Sequence, residues 1–81
     1  MLVKVLGPGC KNCVALENAT REAIDRLGLD ATVEKVTDYV AIAGYGVIAT
    51  PALVVDEKVV SSGRVLTPTR VGELLTAAAA R

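Results

Sequence analysis

The sequence predicts a single α/β domain over residues 1–81, with the element order β-α-β-α-β-β-α and a central four-stranded mixed sheet flanked by helices. Two patterns lead to this prediction. Short valine-rich runs alternate with segments whose apolar residues recur at helical spacing, and glycine or proline lies between most of them. Because only 2 of the 81 residues are tyrosine and none is phenylalanine or tryptophan, the core must consist mainly of aliphatic side chains, which favours a sheet covered by helices.

The first half of the chain has the pattern of a strand, a helix and a second strand. Leu2–Leu6 is an almost wholly apolar run, which predicts a central strand covered on both faces. Lys11–Leu27 predicts a helix, and Gly28 follows it as a left-handed stop. Ala31–Val36 is half polar, as an edge strand would be, and this series predicts parallel pairing of the two strands. The predicted buried face of the helix comprises Cys13, Leu16, Thr20, Ala23, Ile24 and Leu27.

A brief second helix is predicted to end at Ala43, because two glycines follow within three residues. Thr37 or Asp38 is expected to cap its start. The two tyrosines flank this helix and are expected to pack beside it rather than to bind a ligand. Tyr39 lies at its first turn, and Tyr45 precedes the next loop closely enough to line a groove there.

The remaining elements are two strands and a helix. Residues 47–51 form the predicted approach loop to the apolar strand Ala52–Val55. A tight turn then leads back into Lys58–Ser62, which predicts an antiparallel hairpin. Thr67 followed by Pro68 predicts the cap and first turn of a last helix that extends to Ala80.

Composition and charge exclude several classes of function. Nine basic and nine acidic residues give a formal net charge of zero with no run of either sign, so a nucleic-acid or anionic-membrane partner has no electrostatic footprint. No apolar run approaches the length of a membrane span or a signal-peptide core, which predicts a cytoplasmic protein. The absence of histidine excludes Cys/His nucleophilic catalysis and Cys₂His₂ zinc binding.

The two cysteines of the chain lie three residues apart, where the first strand meets the first helix. Gly7-Pro8-Gly9 ends the strand, Cys10 stands at the helix start, and Cys13 lies one turn further in. Two chemistries suit such a pair: a reversible disulfide, or joint binding of a soft metal ion. A purely stabilising disulfide is unconvincing, because it would close only a very short loop.

Three features in a fixed order resemble the thioredoxin superfamily along nearly the full chain. These are Cys10-x-x-Cys13 after the first strand, Thr50-Pro51 before the third, and Gly63 after the fourth. The chain is most similar to the small glutaredoxin-like and thioredoxin-like redox-active disulfide proteins. The resemblance implies a thioredoxin-like fold and a thiol-disulfide oxidoreductase that serves electron transport and cell redox homeostasis.

The resemblance also implies a site and a set of partners. Pro51 would be a cis-proline packed against the disulfide, and the Thr50 backbone would pair with a bound substrate strand. Disulfide-containing proteins would be the substrates, and a thioredoxin-reductase-like donor would restore the dithiol. Neither a metal nor an organic cofactor is required, and the protein is expected to act as a monomer.

Position assigns different roles to the two cysteines. Cys10 faces the unsatisfied N–H groups and the positive dipole end of the helix, and Lys11 adds a positive charge beside it, so Cys10 is the expected nucleophile. Cys13 begins the buried face and is expected to resolve the mixed disulfide.

Several residues depart from the family pattern. Lys11-Asn12 replaces the Gly-Pro of thioredoxins and the Pro-Tyr of glutaredoxins, and this insert is expected to tune the thiols. Gly63 is followed by Arg64 rather than by the second glycine and acid with which glutaredoxins bind glutathione. Lys4 occupies the position of the buried acid of thioredoxins. A lysine there is predicted to tune the site through a depressed pKa, or else to extend its ammonium to the strand edge.

Two other functions remain open at this stage. Small copper and zinc carriers also have Cys-x-x-Cys after their first strand, but they end in a strand, whereas this chain is predicted to end in a helix. The third possibility is a non-catalytic module that binds a partner in the groove beside Pro51.

Overall fold

The elements follow one another in the predicted order. A computed structural model of the chain describes residues 1–47 and 49–79. Ile48 of the predicted approach loop and Ala80 of the predicted last helix lie outside these residues. The elements are β1 (Leu2–Leu6), α1 (Lys11–Leu27), β2 (Thr32–Val36), α2 (Tyr39–Gly44), β3 (Ala52–Val55), β4 (Lys58–Ser62) and α3 (Pro68–Ala79).

The four strands form one mixed sheet in the order β2-β1-β3-β4. β1 lies inside the sheet, parallel to β2 and antiparallel to β3, while β2 and β4 form the edges. Asp56 and Glu57 join β3 to β4 with positive φ angles of 47° and 70°, as a tight hairpin turn requires. The predicted α/β class with a mixed sheet flanked by helices is therefore confirmed, as are the parallel β1–β2 pair and the β3–β4 hairpin.

Strand alternation divides the core between the two faces of the sheet. On one face, Val3 and Val5 of β1 pack against the buried sides of α1 and α3. On the other face, Leu6 of β1 packs against Ile42 of α2 and Val54 of β3. This division fixes the direction of Lys4. It lies between Val3 and Val5, so its side chain leaves the sheet on the α2 face, away from α1.

The helix boundaries follow from local capping. Cys10 caps α1 at its start, and Gly28, at φ 62°, ends it in the left-handed conformation. Asp38 is the cap of α2, because its Oδ2 accepts a hydrogen bond from the Ala41 amide at 3.1 Å. α2 ends one residue later than predicted, since Gly46 rather than Gly44 takes the left-handed position, at φ 76°.

Two predicted packing residues are exposed instead. Leu27 is 47% exposed, because the buried face of α1 continues through Ala19 and Ala23 and leaves Leu27 at its rim. α3 crosses α1 at Gly72, where an added Cβ atom would lie 3.4 Å from Leu27 Cδ1 and 3.9 Å from Ala23 Cβ, so Leu27 borders this contact although almost half of it is exposed. Tyr39 is 68% exposed at the first turn of α2, so the prediction that it packs beside the helix is wrong.

Candidate active site

Three loops meet at one end of the sheet, where β1 and β4 finish and β3 begins. The strand register places Leu6 of β1 opposite Ala52 of β3, and Ala52 opposite Ser62 of β4. The loop that carries the cysteines, the loop before β3 and the loop after β4 therefore converge there. We call this end of the sheet, which comprises residues 7–13, 49–51 and 63–64, the cysteine end.

Cys10 lies outside the helix that it caps. Its backbone is extended, with φ −68° and ψ 169°, and its side chain is turned back so that Sγ accepts a hydrogen bond from the Cys13 amide at 3.4 Å. The residue is exposed. A hydrogen bond from the Cys13 thiol, and then the bond from the Cys13 amide, hold the pKa of Cys10 below its ordinary value of 9.0. An accessible thiol with a lowered pKa is suited to nucleophilic attack.

Cys13 is in a different environment although its sulfur lies only 2.6 Å from that of Cys10. Both cysteines are free thiols, but Cys13 is only 5% exposed. Burial, and then the hydrogen bond to Cys10, raise the pKa of Cys13 above 9.0. At neutral pH the structure therefore concentrates thiolate character on Cys10 and keeps Cys13 protonated.

Gly7 is a site residue that sequence reasoning missed. It is buried, and its amide donates to the Val36 carbonyl oxygen at 2.9 Å. A Cβ atom at this position would overlap Cys13 Sγ and lie 3.2 Å from Cys13 Cβ and 3.8 Å from Thr50 Cβ. Only glycine leaves room for the Cys13 sulfur where it meets Cys10. Sequence analysis treated Gly7 as the end of a strand, because nothing local indicates this contact.

The Thr50–Pro51 segment closes the site from the side of β3. The peptide bond between the two residues is cis, Pro51 is buried and Thr50 is exposed. The Pro51 carbonyl oxygen accepts a hydrogen bond from the Gly63 amide at 2.8 Å. A Cβ atom on Gly7 would meet both Thr50 and Cys13, so the Thr50–Pro51 segment borders the cysteine end. Packing of Pro51 against the cysteines stays a prediction.

Lys4 is not part of this arrangement. Its ammonium lies 2.8 Å from Glu57 Oε1 and donates to the Tyr45 hydroxyl oxygen at 2.7 Å, and that hydroxyl donates to Glu57 Oε2 at 3.2 Å. Lys4, Tyr45 and Glu57 are called the Lys4 cluster below. The hydrogen bonds with Glu57, and then with Tyr45, raise the pKa of Lys4. The predicted depressed pKa is therefore wrong, because strand alternation turns Lys4 away from the cysteines and towards a carboxylate.

Three further observations concern metal binding, the last element of the fold and membrane spans. Within residues 1–47 and 49–79, no three Cys, Asp or Glu side chains converge as a group that would hold a metal ion. The last described element is the helix α3, whereas the metal carriers considered above end in a strand. No helix in the described part of the chain is long and apolar enough to cross a membrane.

The fold and the cysteine end together define a class of protein. A four-stranded mixed sheet with helices on both faces, a Cys-x-x-Cys pair at the start of α1 and a buried proline before β3 are the features of a thioredoxin-like redox protein. A family model described as "Thioredoxin domain" matches residues 1–76. The chain belongs to this thioredoxin family, and its general activity is that of a thiol-disulfide oxidoreductase.

Two relatives from methanogenic archaea agree with this assignment. A protein named thioredoxin from Methanothermobacter thermautotrophicus is 37% identical over 76 residues, which cover 94% of this chain and 99% of the relative. A thioredoxin from Methanocaldococcus jannaschii is 32% identical over 65 residues, which cover 80% of this chain and 74% of the relative. The resemblance to the thioredoxin superfamily is therefore confirmed over nearly the whole chain.

Proposed function

We propose that the protein is a protein-disulfide reductase in which Cys10 is the nucleophile and Cys13 the resolving thiol. The observation that carries this proposal is the contrast between the two thiols. Cys10 is exposed with a lowered pKa, and Cys13, 2.6 Å away, is buried with a raised pKa. Because the thiolate is the nucleophile, this contrast supports attack by Cys10 first and by Cys13 second.

In the first step the Cys10 thiolate attacks one sulfur of a substrate disulfide. The substrate S–S bond breaks, a mixed disulfide with Cys10 forms, and the leaving thiolate takes a proton from solvent. In the second step the Cys13 thiol gives its proton to solvent and its sulfur attacks Cys10 Sγ. The bond between Cys10 and the substrate sulfur breaks, and the departing thiolate takes up a proton. The second substrate thiol is released, and the Cys10–Cys13 disulfide remains. The protein has then passed two electrons to the substrate, and a thioredoxin-reductase-like donor returns them.

The substrate is a disulfide-containing protein that lies along Thr50 and Pro51. Thr50 is exposed beside the cysteines, so its backbone is available to pair with an extended substrate segment. The buried Pro51 forms the wall behind that segment. Lys11, which is exposed beside Cys10, favours the thiolate through its charge. The protein acts in the cytoplasm as a monomeric domain of residues 1–81, without a cofactor, in electron transport and redox homeostasis.

A trapping experiment tests the order of the two steps. Cys13→Ser, treated with a protein disulfide substrate, is expected to accumulate a mixed disulfide through Cys10, because the resolving thiol is missing. Mass spectrometry under non-reducing conditions measures the adduct and locates it. Cys10→Ser, the matched control, keeps a thiol at the buried position and is expected to form little adduct. Adducts on Cys13 rather than Cys10, or none with any disulfide substrate, would contradict the mechanism.

A further inference from the structure

The charges of the chain are unevenly distributed although they sum to zero. Lys11 and Arg64 lie at the cysteine end, are exposed, and within the described residues have no carboxylate oxygen within 4 Å. Asp56 and Glu57 lie at the other end of the sheet, where the Asp56 carboxylate accepts a hydrogen bond from the Leu2 amide at 2.8 Å. The two ends are the length of β1 apart, roughly 13 Å. That distance exceeds the Debye length of about 8 Å at physiological salt, so the carboxylates do little to neutralise the cysteine end.

Arg64 is joined to the site by a short series of contacts. The Gly63 amide donates a hydrogen bond to the Pro51 carbonyl oxygen. A Cβ atom added to Gly63 would lie 3.0 Å from Ala49 Cβ. Gly63 is therefore held tightly against the loop that carries Thr50 and Pro51. Arg64 is the next residue, so its backbone lies close to the wall along which a substrate would lie.

Arg64 also lines a groove that contains a second arginine. The groove lies between the end of β4 and the start of α3 and has a volume of about 190 Å³. It is lined by Arg64 and Arg70, by Ser61 and Ser62 of β4, and by Leu66 in its apolar part. This volume accommodates a carboxylate side chain but not a folded domain.

The Glu73 carboxylate lies near the groove, but it pairs with only one of the two arginines. Glu73 Oε1 lies 3.2 Å from Arg70 Nη1, so Arg70 is partly neutralised within α3. Arg64 has no such partner in residues 1–47 and 49–79. A planar guanidinium binds carboxylates with two parallel hydrogen bonds.

We propose that this groove binds an acidic side chain of the substrate, so that the preferred substrates are protein disulfides with Asp or Glu near the reacting cysteine. The proposal rests on the proposed function and specifies the substrate class of the same site. The occupant is the acidic segment of the substrate itself, which enters the groove while its disulfide meets Cys10. Charge complementarity selects this occupant, because Arg64 is a groove cation with no carboxylate partner among the described residues.

Turnover of matched disulfide peptides tests the proposal. Three peptides differ only in whether the residues beside the disulfide are Glu, Gln or Lys. The Glu peptide is expected to have a kcat/KM about tenfold above that of the Gln peptide, as one hydrogen-bonded charge pair provides, and the Lys peptide is expected to be poorest. The difference between the Glu and Gln peptides is expected to lie in KM more than in kcat. It is expected to become smaller as salt is added.

Variants assign the preference to the groove. Arg64→Gln is expected to remove most of the Glu preference, while leaving the rate of Cys10 alkylation by neutral iodoacetamide unchanged. Lys58→Gln is the matched control, because Lys58 is exposed at the opposite end and is also outside every ion pair of the described residues. It is expected to retain the preference.

The outcomes separate this proposal from the proposed function. Ready turnover of all three peptides at equal kcat/KM would overturn the substrate class and leave the oxidoreductase mechanism intact. A Glu preference that persists in Arg64→Gln would overturn the assignment to the groove. No turnover of any peptide would contradict the proposed mechanism and this proposal with it.

Discussion

The cysteine end and the Lys4 cluster both place ionisable side chains against the central strand, and both contain groups with shifted pKa values. In the Lys4 cluster, the Lys4 ammonium and the Glu57 carboxylate satisfy each other, and the Tyr45 hydroxyl joins them. At the cysteine end, the sulfur of Cys10 is exposed and the nearby charge of Lys11 has no partner within the described residues. The charges of the Lys4 cluster neutralise each other, whereas the Cys10 sulfur at the cysteine end is accessible to a reactant.

A shifted pKa therefore does not by itself identify a reactive site. Lys4 and Cys10 are both shifted towards their charged forms by hydrogen bonds. The partner of Lys4 is an opposite charge that remains in place and neutralises it. The partner of Cys10 is a second thiol, which participates in the reaction. The three predictions that follow test this distinction in order of decreasing effect.

Gly7→Ala is expected to damage the cysteine end most. The added Cβ would overlap Cys13 Sγ, so the substitution costs about 1–3 kcal/mol of unfolding free energy, or turns the Cys13 side chain away from Cys10 and slows disulfide closure. Chemical denaturation and the rate of Cys10–Cys13 oxidation measure the two effects. Gly44→Ala is the control, because a Cβ there meets nothing within 4 Å. Wild-type values for Gly7→Ala in both measurements would contradict the tight packing of this site.

Glu57→Gln is expected to change how stability depends on pH. The Lys4 ammonium holds the pKa of Glu57 below its ordinary value of 4.5, so the folded state binds this proton less readily than the unfolded chain. The contribution of Glu57 is therefore complete above pH 4.5 and is lost as the pH falls through its folded pKa. As the pH rises through this range, the unfolding free energy of Glu57→Gln is expected to increase less than that of the wild type.

Unfolding free energies measured across the acidic range test this prediction. The effect is expected to be small, because the Glu57 side chain is 61% exposed and solvent screens its charge. Glu22→Gln, in an exposed pair on α1, is the comparison variant. A stability difference between wild type and Glu57→Gln that grows as the pH falls below 4.5 would contradict the sign.

Lys4→Met is expected to have the smallest effect on the redox chemistry. The ammonium lies on the α2 face, where it binds Glu57 and Tyr45, so its removal is expected to leave the pH profiles of Cys10 and Cys13 alkylation unchanged. The alkylation rates are measured between pH 6 and 11. A shift in the Cys13 profile would show that the Lys4 charge reaches the thiols through the sheet, and the distinction between the two clusters would then fail.

Much of the fold follows from local sequence patterns. The predicted bounds of β1, α1, β3 and β4 match the structure, because continuous apolar runs and turn residues delimit them. β2 begins at Thr32 rather than at the predicted Ala31. The Thr32 amide donates a hydrogen bond to the Met1 carbonyl oxygen. Leu27 and Tyr39 were misplaced because periodicity indicates a face of a helix but does not indicate where the neighbouring element stops.

The site was predictable from local geometry at the cysteines and from the family resemblance at Thr50 and Pro51. Cys10 and Cys13 share one helix turn, so their contrast in exposure could be derived from sequence. The Lys4 cluster could not, because Lys4 and Tyr45 are 41 residues apart and meet only through the packing of α2 on the sheet. The same holds for Gly7, whose importance depends on how the start of α1 packs against the end of β1.

The proposed mechanism rests on the contrast between Cys10 and Cys13, which alkylation of the reduced protein measures at each cysteine. Initial iodoacetamide rates are measured across pH, and peptide mapping by mass spectrometry assigns them to each residue. Cys10 is expected to react first, with its midpoint below pH 9.0, and Cys13 more slowly, with its midpoint above 9.0. A shared midpoint, or faster reaction at Cys13, would contradict the assignment of nucleophile and resolving thiol.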